Sequence, residues 1–116
     1  MAEAVARAKF LRIAPRKLRL VANLIRGKKV SEARNILRFT VKGGAPLLEK
    51  ILASAVANAE SKAAETRTRL HTDDMVVSKV LVDGGMTMKR FQSAPRGRAV
   101  RVRHRSSHVE LMISDS

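Results

Sequence analysis

The stretch Met75-Val-Val-Ser-Lys-Val-Leu-Val82, the basic segment 84–108 behind it and the closing Val109-Glu-Leu-Met-Ile113 together decide how this chain folds. The first piece is rich in β-branched residues and reads as a strand. In the last, Val109, Leu111 and Ile113 alternate with Glu110 and Met112, the period of a second strand with one buried face. The segment between them has few large apolar residues and cannot form a core of its own. Ala94-Pro95-Arg96-Gly97 suits a type I turn, with Pro at the second position and Gly at the fourth. Val100 and Val102 alternate with Arg101, Arg103 and Arg105. The economical reading is one long hairpin whose base joins a sheet and whose tip projects by roughly 30 Å, at ~3.3 Å per residue. The alternative is a disordered basic loop; the flanking strands and the Pro-x-Gly turn argue against it. Val100 and Val102 are even-numbered and Val109, Leu111 and Ile113 odd, so a bulge or bend is expected between them, the alternative being that Val100 and Val102 face a different environment from the core residues.

Working outward, Pro46 opens a helix carrying Leu48, Ile51, Leu52, Ala55, Val56 and Ala59 on one stripe, the cleanest helical period in the chain. Its dense alanine allows close approach of a neighbour. Pro15 suits the first position of an earlier helix with Leu18, Val21, Ala22 and Ile25 inward, and Gly27 suits its left-handed terminus. Arg16, Arg19, Asn23 and Arg26 share that helix's other face, and Lys28 and Lys29 extend it into one cationic surface. Between these two helices a short third is expected, with Ser31 as N-cap, Glu32 in its first turn, Ala33, Ile36, Leu37 and Thr40 as its stripe, and Gly43-Gly44 breaking it. Residues 3–12 alternate as a short strand, and 66–74 read as a polar loop. The expected fold class is α+β: three helices packed on a small antiparallel three-stranded sheet, with a long basic β-hairpin extension. Residues 1–116 make a single domain, with 84–108 as an arm within it.

The chain carries 24 Lys and Arg against 10 Asp and Glu, a formal net charge of +14, yet 45% of its residues are hydrophobic, so charge has not replaced the core. Like charges repel in a compact domain, so an anionic partner is expected. Nucleic acid comes first, a membrane surface second and simple solvation third. The charge is uneven. Residues 1–42 hold twelve basic and two acidic residues, 43–78 hold four and five, and 84–109 hold seven basic and no acid. No apolar run is long enough for a membrane span, and no apolar leader is seen. The absence of Cys excludes disulfides, thiolate metal sites and Cys nucleophiles. These features fit a cytoplasmic protein.

Enzyme chemistry finds little to use. His104 and His108 are four apart, which on a strand separates them by about 13 Å, so no metal site is expected. Asp73-Asp74 reads as an exposed loop pair or a cap. Ser106, Ser107 and His108 suit polar contacts to phosphate or a ribose 2′-OH. No Walker loop is present, and Gly84-Gly85 alone is no phosphate cradle. The only aromatic residues are Phe10, Phe39 and Phe91, with Phe10 and Phe39 expected in the core, so a base-stacking platform is not expected. Recognition should rest on the phosphates and riboses of a folded RNA.

Several stretches carry a resemblance. They are Pro15-Arg-Lys-Leu-Arg-Leu-Val21, Leu24-Ile-Arg-Gly-Lys28, Ser54-Ala-Val-Ala-Asn-Ala-Glu60, Val82-Asp83, Lys89-Arg90, Gly97-Arg98-Ala99 and Arg105-Ser-Ser-His-Val109. In that order, they resemble the bacterial large ribosomal subunit protein of family twenty-two. The resemblance implies three helices on a small antiparallel sheet and a hairpin reaching through large-subunit ribosomal RNA, with its tip on the wall of the peptide exit tunnel. It implies a cytoplasmic, non-catalytic constituent of the ribosome that supports subunit assembly. No cofactor, metal, membrane or small-molecule substrate is expected. Its partners would be ribosomal RNA, other large-subunit proteins and, at the tip, the nascent peptide. Carried over, Arg16, Lys17 and Arg19 would be RNA contacts of the first helix, and Lys89, Arg90, Arg98, Arg105, Ser106 and His108 those of the hairpin. The adjoining cations Arg26, Lys28 and Lys29, and Arg96, Arg101 and Arg103 of the arm, complete the candidate RNA-binding set. Phe91, Gln92, Ser93, Ala94 and Pro95 would form the tunnel tip. The chain departs from the family pattern at Gly84-Gly85-Met86, at Ser93-Ala94-Pro95, where a tip arginine is missing, and at Ala14, which replaces a capping Ser. The alternative function is a DNA architectural protein that bends the duplex with a basic β-arm.

Overall fold

The structure, a computed structural model, describes residues 3–67, 71–93 and 99–115, with side chains described outside 86–104. In chain order the elements are β1 (Glu3–Leu11), α1 (Pro15–Ile25), α2 (Val30–Phe39), α3 (Ala45–Thr66), a 3₁₀ turn (Thr72–Asp74), β2 (Val76–Ser93) and β3 (Ala99–Ser114). The sheet is antiparallel in the order β1-β3-β2, so the last strand is central. This is the expected α+β architecture. Sequence distance matters less here than pattern: the chain's two ends meet as neighbours because both carry a clean inward face.

Register explains that face. Ala4, Ile113 and Val77 share one row across the sheet, Ala6, Leu111 and Val80 the next, and Ala8, Val109 and Val82 the third. Val77 and Val80 differ in parity, and a register shift between Val77 and Lys79 turns both inward. Against this face lie Leu18, Val21, Ala22 and Ile25 of α1, Val30, Ala33 and Leu37 of α2, and the expected stripe of α3. Alanine is a poor strand former. In β1 it is used where α3 packs against that strand, with Ala4 and Ala6 buried on the strand and Ala55 and Ala59 buried on the helix.

Two sequence expectations need correction. Phe10 and Phe39 are not core residues: they are 61% and 79% exposed. On β1 the register slips between Ala8 and Leu11, and Phe10 takes a left-handed backbone (φ 59). That extra residue turns the ring outward and lets Leu11 pack against the core instead. Phe39 ends α2 two residues beyond the buried Leu37, on the opposite side of the helix. Ser31 is also not the N-cap of α2. The helix starts two residues earlier than that cap would place it, with Lys29 as N-cap, and the Val30 N–H is held by the Met75 carbonyl at 2.8 Å. Pro15 and Gly27 take their expected places, Gly27 at φ 80.

β2 and β3 stay paired from Val76↔Ser114 out to Ser93↔Ala99. The molecule measures 66 × 26 × 16 Å, with a radius of gyration of 17.5 Å. A rounded domain of this length would have about 13 Å. The hairpin accounts for the difference. The expected Ala94–Gly97 turn lies outside the described residues.

Candidate nucleic-acid interface

α1 lies along the root of the hairpin, which joins two basic regions that are far apart in sequence. Its outer face exposes Arg16, Lys17, Arg19 and Arg26, and Lys28 and Lys29 follow in the exposed loop to α2. Pro15 at the start of the helix comes to 3.9 Å from where a side chain on Gly84 would begin. The helix cations and the first residues of the finger therefore share one surface.

Not all of these cations are equally available. β2 is an edge strand, and its outward carbonyls need donors. Arg19 supplies two, from Nε and Nη2 to the Val82 carbonyl at 3.2 and 3.0 Å. Arg26 Nη2 donates to the Val80 carbonyl at 2.8 Å, and its Nη1 donates to Asn23 Oδ1. Nearer the end of the strand, the loop backbone takes over: Gly27 N–H donates to Val77 O and Val77 N–H to Lys28 O, both at 2.8 Å. α3 covers β1's outer edge in the same way, with Asn58 Nδ2 on Val5 O at 2.9 Å and Lys62 Nζ on Glu3 O at 3.2 Å. Sequence reading did not find this role for Arg19, Arg26, Asn58 and Lys62, because it depends on which strand lies at which edge.

The root of the finger is more intricately built than its sequence suggests. The β2–β3 register shifts between Gly84 and Thr87, opposite Arg105–Ser107, with the extra residue on β2; the bulge expected on the last strand is therefore not there, because β3 keeps its alternation and its partner strand takes the extra residue. Ser106 and His108 lie on the sheet face away from the helices, both half-buried. A side chain on Gly85 would begin 2.6 Å from Ser106 Oγ and 3.1 Å from His108 Cε1 and Nε2, so glycine there leaves room for this pair as it stands. Ser107 is not available to RNA: it is fully buried, and its hydroxyl donates to the Ile13 carbonyl at 2.6 Å, tying the β1–α1 loop to the central strand. Arg105 is exposed.

Farther out, the finger's backbone register places Lys89 opposite Arg103, Arg90 opposite Val102 and Phe91 opposite Arg101. Gln92 and Ser93 are the last residues of β2. Ala94, Pro95, Arg96 and Arg98 lie outside the described residues. Two ion pairs among the described residues, Arg7–Glu110 at 3.2 Å and Arg34–Asp73 at 3.7 Å, draw on neither α1 nor the finger, and such exposed pairs contribute little. Among the described residues, no group of His, Asp and Glu side chains is placed to hold a metal ion, and no helix is long and apolar enough to cross a membrane.

Comparison with known proteins agrees with this geometry. Residues 6–114 match the family model described as "Ribosomal protein L22p/L17e". The chain is 45% identical over 113 residues to the large ribosomal subunit protein uL22 of Oceanobacillus iheyensis, covering 97% of this chain and 96% of that one. It is 47% identical over 112 residues to the protein of that name from Pediococcus pentosaceus, covering 97% and 91%. With that of Maridesulfovibrio salexigens it shares 50% over 113 residues, covering 97% and 98%.

Proposed function

The chain belongs to the ribosomal protein L22p/L17e family, as a non-enzymatic constituent of the large subunit of the cytoplasmic ribosome, and on that premise we propose that it binds large-subunit ribosomal RNA through the outer face of α1 and both strands of its finger. Residues 1–116 act as one domain with 84–108 as its arm. Arg16, Lys17, Lys28 and Lys29 contact phosphates from the helix side. Arg19 and Arg26 contribute charge there while holding the edge of β2. Lys89, Arg90, Arg101, Arg103 and Arg105 contact RNA along the finger, with Arg96 and Arg98 near its turn. Phe91, Gln92, Ser93, Ala94 and Pro95 form the tip, which lines the peptide exit tunnel and meets the nascent peptide.

One observation carries this reading. The finger is a two-stranded ribbon that sets Lys89 directly across from Arg103, with no acid between residues 84 and 109. Like charges directly opposite destabilise a pair of strands, and an isolated ribbon is marginal in water. A polyanion surrounding the ribbon removes both penalties. The same physics makes the protein an assembly factor: RNA segments that converge on the finger are held together by it.

The test is binding of the full chain to deproteinised large-subunit ribosomal RNA as a function of salt. Contact with six to ten phosphates lowers the affinity by roughly 10³–10⁵ between 50 and 200 mM salt. A flat response, or equal affinity for duplex DNA in competition, refutes the proposal.

A further inference from the structure

The bulge at Phe10 brings Leu11 to the core but leaves Phe10 itself turned outward. Its left-handed backbone (φ 59) is disfavoured for any residue with a Cβ, and the residue remains 61% exposed, so the strain is not exchanged for burial of its own side chain. Yet the ring is held in place. The Phe10 N–H donates to His108 Nδ1 at 3.1 Å, and the two rings meet edge to face, with centroids 4.9 Å apart and planes at 87°. His108 is in turn fixed beside Ser106 in the space that Gly85 leaves open at the finger's bulge. Because Nδ1 accepts, neutral His108 carries its proton on Nε2, a donor on the same side as the Ser106 hydroxyl. Lys9 and Arg12 lie within two residues of Phe10 and Arg105 three residues before His108 along the chain, and all three are exposed. Phe39 is exposed too, but it ends a helix in ordinary backbone geometry.

We propose that Phe10, His108 and Ser106 form a docking site for one unstacked nucleobase of the ribosomal RNA. The base stacks on the Phe10 ring. His108 Nε2–H and the Ser106 hydroxyl reach its edge or its ribose, and Lys9, Arg12 and Arg105 hold the flanking phosphates. Sequence-specific RNA recognition works on bases turned out of the helix and stacked on an aromatic face. A ring already locked by backbone and by a neighbouring ring pays little entropy to receive one. The inference rests on the RNA-binding reading above and adds to it a single base-specific point at the root of the finger.

The full chain is titrated against deproteinised bacterial large-subunit ribosomal RNA as wild type and as Phe10→Ala, Phe10→Gly and Phe10→Tyr. Loss of one stacked base lowers the affinity by about 5- to 100-fold in Phe10→Ala, with the salt slope unchanged because no phosphate contact is lost. Phe10→Tyr keeps a ring and stays within about two-fold of wild type. Phe10→Gly relieves the backbone, so it melts within a few degrees of wild type yet binds RNA as weakly as Phe10→Ala. A photo-crosslinking phenylalanine analogue at position 10, in assembled large subunits, should label one nucleotide. Wild-type affinity in Phe10→Ala and Phe10→Gly, or a crosslink to protein alone, overturns the docking site and leaves the RNA-binding reading intact. Absence of salt-dependent binding by the wild type overturns that reading itself.

Discussion

Arg19 and Lys17 stand two residues apart on α1 and both look like phosphate ligands in the sequence, yet the structure gives them different work. Arg19 places two guanidinium N–H groups on the Val82 carbonyl, at 3.2 and 3.0 Å, in a part-buried position at the root of β2. Lys17 is exposed. Hydrogen bonds from a charged donor contribute about 1.5–3 kcal/mol each, but the two here share one acceptor that water can reach once the side chain is gone. Arg19→Ala should therefore cost about 1–2 kcal/mol. For a domain of this size that lowers the melting temperature by about 4–10 °C. Lys17→Ala, a surface change without such a contact, should stay within about 0.5 kcal/mol. The order reverses for RNA. Lys17→Ala should reduce the slope of log affinity against log salt by about 1, the signature of one lost phosphate contact. Differential scanning fluorimetry of the free protein and filter binding over a salt series read the two quantities independently. If Arg19→Ala melts with the wild type and loses as much salt slope as Lys17→Ala, the carbonyl contact contributes nothing and the division of roles is wrong.

Three further outcomes are expected. Leu111→Ala, at a fully buried position of the central strand, should cost about 2–5 kcal/mol in urea unfolding, a loss this small domain survives only narrowly. Gly27→Ala should cost about 1 kcal/mol although open space surrounds it, since the penalty lies in φ 80 alone, and Gly27→Asn should recover part of that in the same assay. Deleting residues 86–103 removes none of the described core residues, so circular dichroism should still show one cooperative melt, while binding to ribosomal RNA at 150 mM salt falls steeply; a melt that loses cooperativity would show that the finger supports the body.

Sequence pattern was enough for much of this protein. The stripes of α1 and α3 and the alternation of Val109, Leu111 and Ile113 are local periodicities, and each faces inward as its period requires. Pro15 and Gly27 mark the ends of α1 because their preferences are properties of single residues. The uneven charge, neutral in the middle and basic on both flanks, is also read directly from the sequence, and the likeness to its family from the order of its motifs.

The tertiary structure decided what depends on two strands at once. The bulges near Ser78, at Gly85 and at Phe10 are mismatches between one strand's count and its neighbour's, so no single stretch contains them. The bulge at Phe10 is what turns an apparent core aromatic out into solvent. Edge satisfaction has the same character. Arg19, Arg26, Asn58 and Lys62 serve as caps only because β2 and β1 end up on the outside of the sheet with β3 between them. A cation's charge is written in the chain. Whether it is spent on a neighbouring carbonyl or presented to RNA depends on the strand order, which long-range pairing sets.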